Sequence, residues 1–158
     1  MVVMTERRQQ MTPFDLSTSL FHLLHRAAQT ADDLFEGSSK QKSLTSRQFI
    51  VLAAIAQNDG LSQTQIVELT GIDRSTMAEI VLRLKRKGLI GRQRNRLDAR
   101  AYSVRITAPG RQEYETAARL AKQAEARLET SMSAMQTAQL VRLLQTFVSV
   151  TADGKNTK

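Results

Sequence analysis

The chain has no cysteine and no tryptophan, only two prolines, and aromatic residues at 4% of its 158 positions. The absence of cysteine excludes a disulfide scaffold, a Cys-ligated zinc site and regulation by thiol oxidation. The scarcity of aromatics and prolines favours helices over an all-β sandwich. Long hydrophobic runs are missing as well. No stretch approaches the length of a membrane span, and Met1 to Met11 lacks the apolar segment of a signal peptide. The expectation is a soluble, cytoplasmic chain with no membrane partner. The parts an enzyme needs are also lacking. There is no Gly-rich phosphate loop and no Cys nucleophile, and neither histidine sits in a recognisable triad context, so the chain reads as a non-enzyme without a cofactor.

What is present is a hydrophobic fraction of 41%, enough for one core in a single domain, and a net charge of +8. That charge is concentrated. From Ile72 to Arg111 there are 11 Lys/Arg against three acids (Asp73, Glu79 and Asp98), while the remainder has 12 of each sign. A solvated face is usually mixed in sign. A basic excess confined to a quarter of the sequence points to a polyanionic partner.

Residues 1–12 are polar and aperiodic and read as a flexible arm. Pro13 suits a helix start, and Leu16, Leu20, Leu23, Ala27, Ala31 and Leu34 recur at helical spacing, predicting a helix over 13–36. Its apolar face is broader than one core contact needs, as in a helix wedged between two bodies. His22 and His25 lie three apart on it. Two imidazoles so spaced can share a metal, but no third ligand stands at a telling distance. They read as ordinary histidines or as polar groups lining a pocket.

A capping box then recurs. Thr45 with Gln48, flanked by Leu44 and Phe49 as a hydrophobic staple, opens a second helix that stops near Asn58-Asp59-Gly60. Ser62 with Gln65 opens a third, stapled by Leu61 and Ile66 and terminated by Gly71. Asp73 caps a fourth, running from Arg74 to about Lys87. Two short helices joined by a tight turn containing glycine are the sequence form of a helix-turn-helix. Met77, Ile80, Val81 and Leu84 make the buried stripe of the fourth helix. Arg74, Ser75, Thr76, Glu79 and Arg83 fall off that stripe. Short hydrogen-bonding residues and arginine near a helix N-terminus suit entry into a DNA major groove, although first-turn capping alone also accounts for Ser75 and Thr76.

After Gly88 the period changes to two. Leu89 to Arg96 and Tyr102 to Thr107 read as the arms of a hairpin, the second alternating outward and inward. Arg92, Arg94, Asn95, Arg96 and Arg100 make a basic arm able to reach a narrow minor groove. Asp98 gains nothing beside a phosphate and reads as orienting Arg100 or a backbone amide. Thr107 and Pro109 begin a long helix with Tyr114, Ala117, Ala121, Ala124 and Leu128 as its stripe. A last helix from about Gln136 or Thr137 carries Leu140, Leu143, Leu144, Phe147 and Val148. These ends exceed what a small winged unit can cover, so a homodimer is inferred, with 13–36 and 108–152 as dimerisation helices around a winged helix-turn-helix at 44–107.

Leu61 to Gly110 resembles the winged helix-turn-helix of the multiple antibiotic resistance regulator (MarR) family. The likeness rests on Leu61-Ser62-Gln63, on Thr70-Gly71-Ile72-Asp73-Arg74-Ser75-Thr76, and on Leu84 to Ile90. It rests most on Asp98-Ala99-Arg100 followed by Ile106-Thr107-Ala108-Pro109-Gly110. The resemblance implies a mainly α fold with a small β-hairpin wing, in a homodimer that binds double-stranded DNA at a palindromic operator and is released by a small-molecule effector. It adds Ser62, Gln63 and Asp73 to the DNA-binding set. His22, His25 and Arg26 are the polar groups assigned to an effector pocket. Leu20 to Ala27 and the Asp98-Ala99-Arg100-Ala101-Tyr102 wing are similar to members that respond to aromatic acids or their coenzyme A thioesters. The competing expectation is a winged-helix module that binds protein or RNA.

Overall fold

The computed structural model describes residues 14–37, 43–58, 60–94 and 102–153, with the backbone alone for 94 and 150–153. The elements run α1 (Leu20–Gly37), α2 (Ser46–Gln57), α3 (Gln63–Thr70), α4 (Arg74–Arg86), β1 (Ile90–Arg94), β2 (Tyr102–Ile106), α5 (Ala108–Glu129) and α6 (Ala134–Asp153). The expected arm at 1–12, the hairpin tip at 95–101 and the tail from 154 lie outside the described residues.

Local chemistry sets most of these boundaries. Thr45 Oγ1 accepts from the Gln48 amide at 3.3 Å, and the Gln48 side chain accepts from the Thr45 amide at 3.4 Å. Ser62 and Gln65 repeat the exchange at 3.2 and 2.8 Å. Each box satisfies two backbone N–H groups that a helix start otherwise leaves open. Gly71 closes α3 at φ +70°, in the left-handed region, with its N–H donating to Val67 O. A side chain with a Cβ is strained there, which explains glycine at the turn. Thr107 caps α5 by accepting from the Gly110 amide at 3.1 Å, and its own hydroxyl donates to Gly88 O at 2.6 Å.

Two boundaries differ from the sequence expectation. Ahead of α1, Asp15 Oδ1 accepts from both the amide and the hydroxyl of Ser17, at 2.8 Å each. This side-chain turn competes with helical hydrogen bonding, so the helix begins at Leu20 rather than at 13. Ser19 then serves as its cap, accepting from the His22 amide at 3.3 Å. The last helix starts at Ala134, ahead of the expected Gln136, because Ser133 and Gln136 form a further capping box.

The core lies under the winged lobe. Val51, Leu52, Ile55, Ile66, Met77 and Leu84 are its largest fully buried side chains, drawn from α2, α3 and α4. The hairpin closes one side: β1 and β2 pair antiparallel with Ile90 opposite Ile106 and Arg94 opposite Tyr102. Leu61 adds a single bridge to Val104, as a one-residue third strand. That bridge breaks the expected alternation in β2. Ser103 points away from Val104 yet is buried, tucked beside Gly60 with its hydroxyl donating to Gln93 O.

α5 packs on α1 and α2 and joins the lobe to the terminal helices. Phe35, Phe49 and Tyr114, one from each of α1, α2 and α5, stack with ring centroids 5.2 and 6.3 Å apart. Ser46 donates to Asp32 at 2.6 Å across the same seam. Outside it, large apolar side chains are uncovered. Phe14, Leu20 and Phe21 are exposed ahead of and along α1, as are Leu143, Phe147 and Val148 on α6. None of the described side chains of α6 is buried.

Candidate nucleic-acid interface

α4 is built with two unlike sides. Met77, Ile80, Val81 and Leu84 are buried against α2 and α3, which fixes the helix's rotation. That rotation leaves Arg74, Ser75, Glu79 and Arg83 exposed and Thr76 half-buried. Asp73 holds the entry. Its Oδ1 accepts from the Ser75 hydroxyl at 2.6 Å and the Thr76 amide at 2.9 Å. The Ser75 hydroxyl, with the Thr76 amide behind it, keeps the Asp73 carboxyl well below the usual carboxylate range. A charged carboxylate at this end also complements the helix dipole. In the free chain, therefore, the Ser75 proton is committed to the cap and its oxygen lone pairs remain open to a donor. Glu79 and Arg83, one turn apart, pair at 3.9 Å on the exposed face. An ion pair so exposed contributes little to stability and leaves the guanidinium available.

Ser62 and Gln63, both half-buried, stand at the start of α3, where Ser62 is occupied in its capping box. On the hairpin, Arg92 lies with its guanidinium carbon 6.0 Å from the centre of the Tyr102 ring. Arg92 and Tyr102 share one face of the ladder, since Tyr102 pairs with position 94, two residues on from Arg92. The base of that face, Ile90 and Val104, enters the core, and its outer half does not. Tyr102 is thus a platform for a hairpin arginine, which the sequence reading did not single out. An aromatic residue at an outward position of a basic strand is the signal for it. Asn95, Arg96, Asp98 and Arg100 lie outside the described residues.

The three groups assigned to an effector lie on α1. His22 is half-buried, and His25 and Arg26 are exposed. His25 Nδ1 is 2.9 Å from Phe21 O, and its ring lies 4.5 Å from the Phe21 ring. Among the described residues no cluster of three His, Asp or Glu is arranged to hold a metal ion. No helix of the described residues is long and apolar enough to cross a membrane.

An outward-facing second helix, seated by a glycine turn and flanked by a two-strand hairpin, is the winged helix-turn-helix architecture. Residues 42–101 match the model of the MarR family. Over these residues the chain is similar to the winged-helix transcriptional regulators of that family. The transcriptional repressor NicR of Pseudomonas putida is 32% identical over 99 residues, which make up 63% of this chain and 63% of NicR. The chain spans less than two thirds of the curated relatives it matches first, with 36% and 50% for the two after NicR. Among solved structures, Bordetella bronchiseptica BpsR, whose DNA binding is regulated by 6-hydroxynicotinic acid, superposes with a TM-score of 0.80. It is 28% identical, over 87% of this chain and 98% of that one. The repressor CouR bound to a 23-mer DNA duplex has a TM-score of 0.77 and is 28% identical, over 88% of this chain and 99% of CouR. These relatives are regulators of transcription rather than enzymes.

Proposed function

We propose that this protein is a homodimeric, sequence-specific DNA-binding repressor of the cytoplasm that leaves a palindromic operator when a small aromatic acid, or its coenzyme A thioester, binds. The observation that carries this reading is the division of α4: its apolar stripe is sealed in the core while Arg74, Ser75, Glu79 and Arg83 face outward along its length, Arg74 and Ser75 at the leading end. On this reading Arg74, Thr76, Ser75, Glu79 and Arg83 meet base edges and phosphates of the major groove. Ser62, Gln63 and Asp73 flank them. Arg92, Arg94, Asn95, Arg96, Asp98 and Arg100 form the wing, with the arginines on phosphates and the minor groove. Two copies joined through 13–36 and 108–152 present two such helices to half-sites about 34–36 Å apart, one turn of duplex. The DNA-bound CouR structure supports the DNA partner, and the BpsR structure supports an aromatic carboxylate as effector. His22, His25 and Arg26 are the groups we assign to that effector. It acts by binding the two arrangements of the reading heads unequally.

The test is selection of fragmented genomic DNA on the purified protein, followed by sequencing of what is retained. An inverted repeat with half-site centres one turn apart is expected. Retained fragments without a shared dyad would reduce the basic surface to a non-specific one and turn attention to protein or RNA partners. Arg74→Ala is expected to change the base preferred within each half-site. Arg100→Ala is expected to weaken all sequences alike and lower the salt slope by about one.

A further inference from the structure

The hairpin and the outward helix hold their arginines differently. On α4 the Arg83 guanidinium is paired with the Glu79 carboxylate at 3.9 Å. Carboxylate oxygens are acceptors, so they claim N–H groups that a phosphate would otherwise take. On the hairpin the Arg92 guanidinium meets a ring instead, its carbon 6.0 Å from the centre of Tyr102. A ring attracts the cation through the negative charge of its face and supplies no carboxylate oxygen to compete for the N–H groups. An arginine steadied in this way keeps its planar fork of donors for another acceptor.

The ladder fixes where the ring stands. Arg92 lies opposite Val104, and Tyr102 is two residues from Val104 on the same face. Diagonal neighbours of this kind are about 7–8 Å apart, within reach of a long side chain and an aromatic one. Val104 is buried and anchors β2 in the core, and Tyr102 stands beyond it, 49% exposed. β2 is also held on both edges. β1 pairs with it on one side, where the Ser103 hydroxyl donates to Gln93 O at 3.3 Å. On the other side the Val104 amide donates to Leu61 O at 2.8 Å, just ahead of Ser62 and Gln63 at the entry of α3. The ring therefore rises from a strand tied to the helix-turn-helix, and Arg92 is the longer, freer partner. Arginine carries much rotamer entropy, and a side chain held before binding loses less of it on binding.

We propose that Tyr102 is a positioning residue for DNA binding: its ring aims the Arg92 guanidinium at a backbone phosphate and lowers the ordering cost of that contact. The aiming role rests on the DNA reading above; the Arg92–Tyr102 pair does not. Nuclear magnetic resonance of the full chain without DNA reads the pair alone. Cross-peaks between the Arg92 side-chain protons and the ring protons are expected in the wild type and in Tyr102→Phe. Their absence overturns the proposal whatever the DNA result. On a duplex retained in the genomic selection, Tyr102→Phe is expected to bind like wild type. Tyr102→Leu is expected to bind roughly two- to fivefold more weakly per wing, the worth of an exposed cation–π contact. Arg92→Gln is expected to lower the salt slope by about one per wing. In the Arg92→Gln background, Tyr102→Leu is expected to cost nothing further. An equal loss in both backgrounds makes the tyrosine a structural residue or a direct contact and overturns the aiming role. So does Tyr102→Phe as weak as Tyr102→Leu, which would assign the effect to the hydroxyl. Cross-peaks in a wild type that retains no duplex overturn the DNA reading, and the aiming role with it, while the pair stands.

Discussion

The winged lobe and the terminal helices use the same residue types to opposite ends. In α2, α3 and α4 the apolar side chains turn inward, and Leu52, Ile66, Met77 and Leu84 are fully buried. In α6, Leu143 and Val148 are each about 60% exposed, and the segment leading into α1 leaves Phe14 70% exposed. Scattered apolar residues on a surface need no explanation, but a helix-length run of them does. The difference teaches that the lobe is finished within one chain and the ends are not. What the lobe leaves outside is charged and hydrogen-bonding, suited to a polyanion. What the ends leave outside is hydrophobic, suited to a second copy.

That contrast orders the expected effects of substitution. Leu84→Ala removes a fully buried side chain from the lobe and is expected to cost about 2–5 kcal/mol, read from the urea midpoint. Little loss would mean that the lobe core is not the source of stability. Gly110→Ala comes next. A Cβ there would lie 1.9 Å from Leu89 O, and that carbonyl also accepts the Thr107 amide. The backbone must shift, at about 1–3 kcal/mol or more, and the base of the hairpin should lose its amide protection in hydrogen exchange. Ser62→Ala removes one half of a capping box and is expected to cost about 0.5–2 kcal/mol in the same denaturation, while Ser62→Asp recovers most of it.

The smallest effect concerns Asp73. Its carboxyl is held below its ordinary value of 3.8, mainly by the Ser75 hydroxyl. A depressed carboxylate stabilises the fold fully above that ordinary value, and the contribution is lost as pH falls through the lower, folded value. Asp73→Asn keeps a competent cap without the charge. Wild type should therefore exceed this variant in stability at neutral pH, with the gap closing as the solution is acidified below about pH 4. A gap that stays constant to pH 2 would contradict the assignment.

Much of the lobe was legible in the sequence because its signals are local. A capping box spans four residues, and a buried stripe such as Met77, Ile80, Val81 and Leu84 repeats within one helix. The start of α1 lies later than Pro13 and the leucine spacing suggest, because the side-chain turn of Asp15 and Ser17 competes with the helix. The start of α6 is written in Ser133 and Gln136 in the same local code as Thr45 and Ser62, ahead of the apolar stripe that suggests a later start. Ser103 was not legible, since its burial depends on Leu61 and Gly60, some forty residues earlier in the chain. The Arg92–Tyr102 contact likewise needs the strand register, which neither residue fixes alone.

The most direct measurement is sedimentation equilibrium of the full chain beside the double variant Leu143→Glu with Phe147→Glu. The account predicts a dimer for the wild type. For the variant it predicts a monomer whose winged lobe stays folded, shown by unchanged hydrogen-exchange protection in α2 to α4, and whose affinity for an inverted-repeat duplex collapses. A variant that remains dimeric, or a wild type that is monomeric at micromolar concentration, would contradict the claim that a second copy covers these ends.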